Sequence, residues 1–194
     1  MKYIIILLLT TFSYSQSIFN DEQFNFAIQK PVEWIKAEKN ESLKNLKEKI
    51  KFSDEKINEL IEKNKGTVEI VTFYKYPTNS VNGVIPTIKV NLRKNPANSI
   101  SNFKKMMDNS IANIKLTFPK LIITKEPTLI KLNGKDCVYF ESINIIPTKF
   151  GNEEVKTITY AVPVGGNFFQ INFMDTKKDN NQKMFSELLN TIRL

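Results

Sequence analysis

Apolar and polar positions change period several times along this chain, and each change marks an element. Phe24-Asn25-Phe26-Ala27-Ile28 alternates and predicts a first strand, closed by Pro31. Over 41–65 the period lengthens: Leu43, Leu46 and Ile50, then Ile57, Leu60 and Ile61, recur at helical spacing. Phe52-Ser53-Asp54 interrupts that stripe, with Ser53 placed to cap a second helix and Gly66 placed to end it. A helical hairpin or kinked helix with one apolar stripe is expected there. The stretch 67–76 is rich in β-branched and aromatic residues and predicts a strand, followed by turn chemistry through Gly83. Ile88, Val90 and Leu92 then alternate with Lys89, Asn91 and Arg93, the pattern of a half-buried strand, which Pro96 closes.

Ser99 or Ser101 is placed to cap a helix whose stripe is Phe103, Met106, Met107, Ile111 and Ile114. Pro119 and Pro127 bracket a predicted strand at 121–124. Stretches 129–132 and 137–146 flank Asn133-Gly134, the strongest hairpin signal in the chain. A second hairpin signal, Gly165-Gly166, lies between 155–164 and 167–173, where Phe169, Ile171 and Phe173 point one way and Gln170 and Asn172 the other. A helix is expected from about Asn180, with Met184, Phe185, Leu188, Leu189 and Ile192 as its apolar face. Hairpins with helices placed between and after them indicate an α+β fold, an antiparallel sheet flanked by helices that can close as an α/β/α sandwich. Neither an internal repeat nor a second-domain linker interrupts 16–194, which is expected to be a single domain.

The first fifteen residues follow a different logic. Lys2 gives a positive start, 4–9 is an unbroken apolar run, and Ser13 and Ser15 put small residues at −3 and −1 of a cut before Gln16. That order is the one signal peptidase reads, so 1–15 is expected to be a signal peptide cleaved between Ser15 and Gln16. Ser15 and Ser17 have the same spacing and would direct a cut after Ser17. The apolar run is far shorter than the ~20 residues of a membrane span, and no later segment supplies one. The expectation is an exported chain, periplasmic or secreted.

Composition removes several chemistries. The chain has no histidine and one cysteine. Ser-His-Asp and Cys-His catalysis are therefore absent, as are the usual zinc sites. No catalytic residue, metal ligand or cofactor is expected, and the residues assign no binding position. Cys137, in a strand-like run, reads either as a small core residue or as a reactive or intermolecular thiol. Formal net charge is +8, yet Arg93 and Arg193 are the only arginines. Base and phosphate recognition leans on the arginine fork, so nucleic acid is not an expected partner. The lysines alternate with glutamates over 44–51 and 55–65, as on a solvated helix face. An attraction to anionic lipid or polysaccharide is the functional alternative.

Individual side chains leave further readings open. Trp34 is a core anchor or a ligand platform, and Met106 and Met107 are core filling or soft ligands. Tyr74 and Tyr76, near the 77–83 turn, are sheet packing or an exposed aromatic patch. Glu69, Glu141, Glu153 and Glu154 are the candidate acids of a carboxylate hydrolase, which would need two of them ~5–9 Å apart in a cleft. Phe168, Phe169 and Phe173 would line the cavity of a small-ligand or lipid carrier, provided it holds ~300 Å³ or more.

Three segments together resemble the PsbP-like family. They are Phe24-Asn25-Phe26-Ala27-Ile28-Gln29-Lys30-Pro31-Val32-Glu33-Trp34, the hairpin strand start Gly134-Lys135-Asp136-Cys137-Val138-Tyr139, and Met184-Phe185-Ser186-Glu187-Leu188-Leu189-Asn190-Thr191-Ile192-Arg193. The first matches the family's strand-Pro-x-x-Trp opening, and the last its closing helix, with Thr191 where a serine is common. The stretch 41–65 looks like an insertion. The resemblance implies an α/β/α sandwich, the fold shared by the oxygen-evolving-complex extrinsic protein, a Ran-binding nuclear import factor and bacterial exported proteins. It implies a binding or assembly accessory acting on another envelope or secreted protein, and it transfers no functional residue.

Overall fold

The computed structural model describes residues 17–38, 53, 55, 65–78 and 80–194. The expected signal peptide and its cut at Ser15 and Gln16 fall outside the described residues, as does nearly all of the helical pair expected over 41–65.

Alternation with period two governs most of the described chain, and it builds one antiparallel sheet of seven strands. In chain order the elements are β1 (Ile18–Asp21), β2 (Phe26–Gln29), β3 (Ile35–Lys36), β4 (Val68–Tyr74), β5 (Thr87–Lys94), α1 (Ile100–Thr117), β6 (Ile122–Leu132), β7 (Lys135–Thr148), β8 (Gly151–Val164), β9 (Asn167–Thr176) and α2 (Gln182–Leu189). The order across the large sheet is β3-β4-β5-β9-β8-β7-β6. β1 and β2 form a separate two-stranded ribbon, reached again late in the chain by an antiparallel bridge between Ala27 and Arg193.

Because neighbours on a strand face opposite ways, the central strands feed two apolar clusters. Phe169, Ile171, Phe173, Val162, Cys137, Ile88 and Val90 pack with Phe26 and Ile28 of the ribbon, with Trp34, and with Phe185 and Leu188 of α2. Phe168, Ala161, Val138 and Phe140 pack instead with Phe103, Met107 and Ile111 of α1. Aromatic rings bind the first cluster together. Phe26 lies 5.2 Å from Phe169, Phe185 lies 5.0 Å from Phe173, and Trp34 meets Phe185 edge-on at 6.1 Å. Trp34 is therefore a core anchor, and Met106 and Met107 pack in or against the second cluster.

The helix ends have local causes. Ser99 is the N-cap of α1, its Oγ accepting the Asn102 N–H at 3.2 Å. The Asp175 carboxylate accepts the backbone N–H of Asn181 and its side-chain amide at the approach to α2, after Asn180 turns the chain at φ 48°. α2 is shorter than expected. It stops at Leu189, and Ile192 is buried from the segment beyond it.

Several boundaries differ from the sequence expectation. The first predicted strand begins only at Phe26, because Asn25 adopts φ 52° in a turn that leads back to β1. The strands expected at 121–124 and 129–132 are one strand, β6. Pro127 sits inside it, where the register shifts between Lys125 and Thr128. A proline lacks the N–H that a central strand uses, but β6 is the outermost strand and tolerates it. β7 and β8 run to Thr148 and from Gly151, so they meet at a tight Lys149-Phe150 turn.

Candidate functional site

A recess lies at one end of the sheet, where the hairpin turns meet the start of α1. It has a volume of ≈ 380 Å³. It is lined by Asn98, Ser99, Ile100 and Phe103 at the start of α1, by Lys131, Lys135 and Asp136 of the β6–β7 hairpin, and by Asn95 and Pro163. Turn chemistry holds these pieces in register. Asn133 and Gly134 take φ 47° and 83°, as a two-residue hairpin turn with both centres at positive φ requires. The Asn95 N–H donates to the Gly166 carbonyl at 2.9 Å, joining the end of β5 to the β8–β9 turn. The Asn95 Oδ1 accepts the Ala97 N–H at 3.0 Å, and Asn102 Nδ2 donates to Asn98 Oδ1 at 2.8 Å. Lys131 Nζ and Asp136 Oδ1 pair at 2.7 Å on the rim. Lys135 also borders a smaller recess of ≈ 240 Å³, shared with Asn133 and the segment Ile192-Arg193-Leu194. The cleft therefore offers amides, hydroxyls and ammonium groups, with its one carboxylate already paired.

The candidate acids are not brought together. Glu69 lies on β4, Glu141 on β7, and Glu153 and Glu154 near the start of β8. Glu69 pairs with Lys89 at 2.8 Å. Glu153 Oε2 accepts the Val84 N–H at 2.8 Å and so ties Val84 to β8. Glu154 stands exposed.

Glu141 differs from the other three in being buried. Lys125 reaches its Oε1 at 2.8 Å and Lys156 its Oε2 at 2.7 Å, and the Tyr139 hydroxyl also donates to Oε1. Burial alone would raise its pKa, but the hydrogen bonds from Lys125, Lys156 and Tyr139 outweigh it and hold the carboxyl at about 2. The same contacts raise the Lys125 pKa. Next to this group, burial pushes the Tyr160 hydroxyl up to about 12. Glu141 is a fixed anion and no proton donor near neutral pH.

The remaining sequence candidates also find their places. Tyr74 is buried, and the Tyr76 hydroxyl donates to Asp179 Oδ1 at 2.6 Å, beside Lys75 at 2.9 Å, so the two tyrosines form no exposed patch. Phe168, Phe169 and Phe173 are each at most 5% exposed and sit in close-packed core, and none lines either recess. Cys137 is fully buried, and burial pushes its thiol up to about 12, against a backbone hydrogen bond at Ala161. It is a core residue, held as an unreactive thiol. Among the described residues no cluster of three or more His, Cys, Asp or Glu is placed to hold a metal ion. No helix among them is long and apolar enough to cross a membrane.

An antiparallel sheet with two helices among the described residues defines an α+β protein. Its particular form is PsbP-like. The chain is similar in structure to cyanobacterial PsbP (CyanoP) from Synechocystis sp. PCC 6803, with a TM-score of 0.51 at 8% identity over 91% of this chain and 90% of that one. It is likewise similar to a protein from Bacteroides thetaiotaomicron VPI-5482, with a TM-score of 0.50 at 14% identity over 91% of this chain. The match takes in 47% of the Bacteroides protein, so this chain spans about half of its length. No family model matches the sequence, and no curated protein is significantly similar to it. At these identities the likeness is one of fold.

Proposed function

We propose that this chain is an exported, non-enzymatic binding or assembly-accessory protein of the cell envelope or the medium, acting by contact with another protein. In this reading 1–15 is removed between Ser15 and Gln16, and 16–194 works as a single α/β/α sandwich of the PsbP-like type. The observation that carries it is the cleft between the start of α1 and the β6–β7 hairpin. It is a shaped, hydrogen-bonding recess on a rigid scaffold, and its ionisable members are Lys131, Lys135 and Asp136 alone. Such a site receives a side chain or short segment of a partner and does no proton chemistry on it. With two ammonium groups against one carboxylate, it favours an acidic segment. A fold shared with cyanobacterial PsbP is compatible with this accessory role.

The test is cross-linking and affinity capture of the tagged chain from its own envelope and medium, read by mass spectrometry. One reproducible protein partner is expected, bound at least ~10-fold less by Lys131→Glu/Lys135→Glu, a charge reversal across two solvent-facing rim groups. The N-terminus of the captured chain is expected at Gln16. Capture unaffected by the double reversal would remove the cleft from the interaction. An intact Met1 on exported material would remove the leader reading.

A further inference from the structure

We propose that the corner where α1 turns into β6, at the opposite end of α1 from the cleft, is a contact for an anionic lipid surface. The last turns of α1 overhang the sheet: the core stripe of the helix ends at Ile111, and residues 112–116 are all exposed. Ile114 is 40% exposed and Leu116 82%. The chain then reverses through Phe118-Pro119-Lys120-Leu121, with the Leu121 N–H donating to the Phe118 carbonyl at 2.9 Å. Ile122, which opens β6, is 60% exposed. Its neighbour Ile123 packs under α1. Ile122 therefore faces away from α1, and the corner shows apolar side chains on both sides. A flat protein partner would cover one side of such a wedge, whereas a bilayer interface surrounds it.

The charges at this corner have one sign. No acidic residue lies between Asp108 and Glu126, while Lys115 and Lys120 flank the apolar side chains. Two of the neighbouring carboxylates are occupied, Asp108 by Lys104 and Glu141 by Lys125. The β7–β8 hairpin repeats the pairing of lysine and apolar side chain at the same end of the sheet. Ile122 is in register with Ile143, and the hairpin runs on past it to Lys149-Phe150, where Phe150 is 58% exposed. Glu126 on β6 and Glu154 near the start of β8 are exposed acids toward this end. Exposed apolar side chains in a setting of ammonium groups are the composition that seats at the headgroup level of an anionic bilayer. The proposal needs neither the cleft nor a protein partner, so the two stand or fall separately.

The experiment is flotation of the chain beginning at Gln16, which keeps every described element, with vesicles. One set is phosphatidylglycerol–phosphatidylcholine and the other phosphatidylcholine alone. Flotation is expected with the anionic vesicles, lost at high salt and weak with the neutral ones. Lys115→Glu/Lys120→Glu is expected to lower the partition by roughly 20-fold or more. Leu116→Ser/Ile122→Ser/Phe150→Ser is expected to lower it by ~10-fold or more. These side chains are exposed, so the melting temperature serves as the check that the variants fold. As a second readout, Leu116→Cys is labelled with an environment-sensitive dye, which Cys137 in the core does not take up. Its emission should shift to the blue on anionic vesicles. No flotation, equal binding to both vesicle types, or tip variants that bind like the wild type would each overturn the proposal. So would loss of a captured protein partner by the tip variants while vesicle binding stays at background.

Discussion

At the scale of single residues, Glu141 shows how burial and charge are balanced here. A carboxylate in the sheet interior loses hydration, which favours its neutral form, yet three donors converge on it. Its pKa in the folded chain, about 2, lies below the ordinary ~4.3 of a glutamate in an unfolded chain. A depressed folded value adds stability that is complete above the unfolded pKa and is lost as pH falls toward the folded one. Glu141→Gln is expected to cost about 1–3 kcal/mol at pH 7, toward the lower end because both lysines reach solvent. The gap between wild type and variant should then close between about pH 5 and pH 2. Urea melts at pH 7, 5 and 3 check this, and a gap constant across that range would show that Glu141 acts by shape alone. The sequence did not expose this site. Lys125, Tyr139, Glu141 and Lys156 come from three strands, and only the register of β6, β7 and β8 assembles them.

At the scale of elements, the turns decide what was legible. Asn133-Gly134 and Gly165-Gly166 are residues that accept positive φ, and both hairpins lie where that chemistry places them. Lys149-Phe150 carries no such signal, so the pattern predicts two shorter strands where the structure has the longest hairpin, β7–β8. There Gly151 takes φ 123°, and Thr148 Oγ1 accepts the Phe150 N–H at 3.1 Å and donates to the Gly151 carbonyl at 2.7 Å. Pro127 misled in the other direction, since a proline ends a central strand but not an outer one. The cleft was hidden for a related reason: Asn95, Ser99, Lys135 and Asp136 form no motif until the turns gather them. Gly134 tests the turn argument cleanly. A Cβ at this position would meet nothing within 4 Å, so the cost of Gly134→Ala comes from φ 83° alone. It should be about 1 kcal/mol in a chemical melt with no change in the final fold. A neutral substitution would mean that the turn relaxes to another type.

At the scale of the molecule, the seven-stranded sheet has two unlike edges. β3 is only Ile35 and Lys36, while β6 is eleven residues long and carries Lys125, Pro127, Lys131 and a broken register. Lysines, a proline and bulges are the devices that keep an outer strand from pairing with another chain. The proposed contacts accordingly use side chains at the two ends of the sheet and not the open backbone of its margins. Both ends touch α1, the cleft at its first turn and the lysine-flanked corner at its last.

The bridge between Ala27 and Arg193 has a consequence in time. The Ala27 N–H donates to the Arg193 carbonyl at 3.0 Å, Arg193 returns the bond at 2.9 Å, and Gln29 N–H donates to Thr191 Oγ1 across 162 positions. The ribbon is made early in synthesis, yet its fastening arrives only after β9 and α2. A ribosome-bound nascent chain arrested before residue 180 should therefore stay sensitive to protease over 17–36, and one with 193 free of the tunnel should not. Protection of the shorter chain would show that the ribbon docks unaided. A segment whose fastening is made last is also the one that can open first, so the ribbon should lose its amide protection at lower denaturant than the seven-stranded sheet.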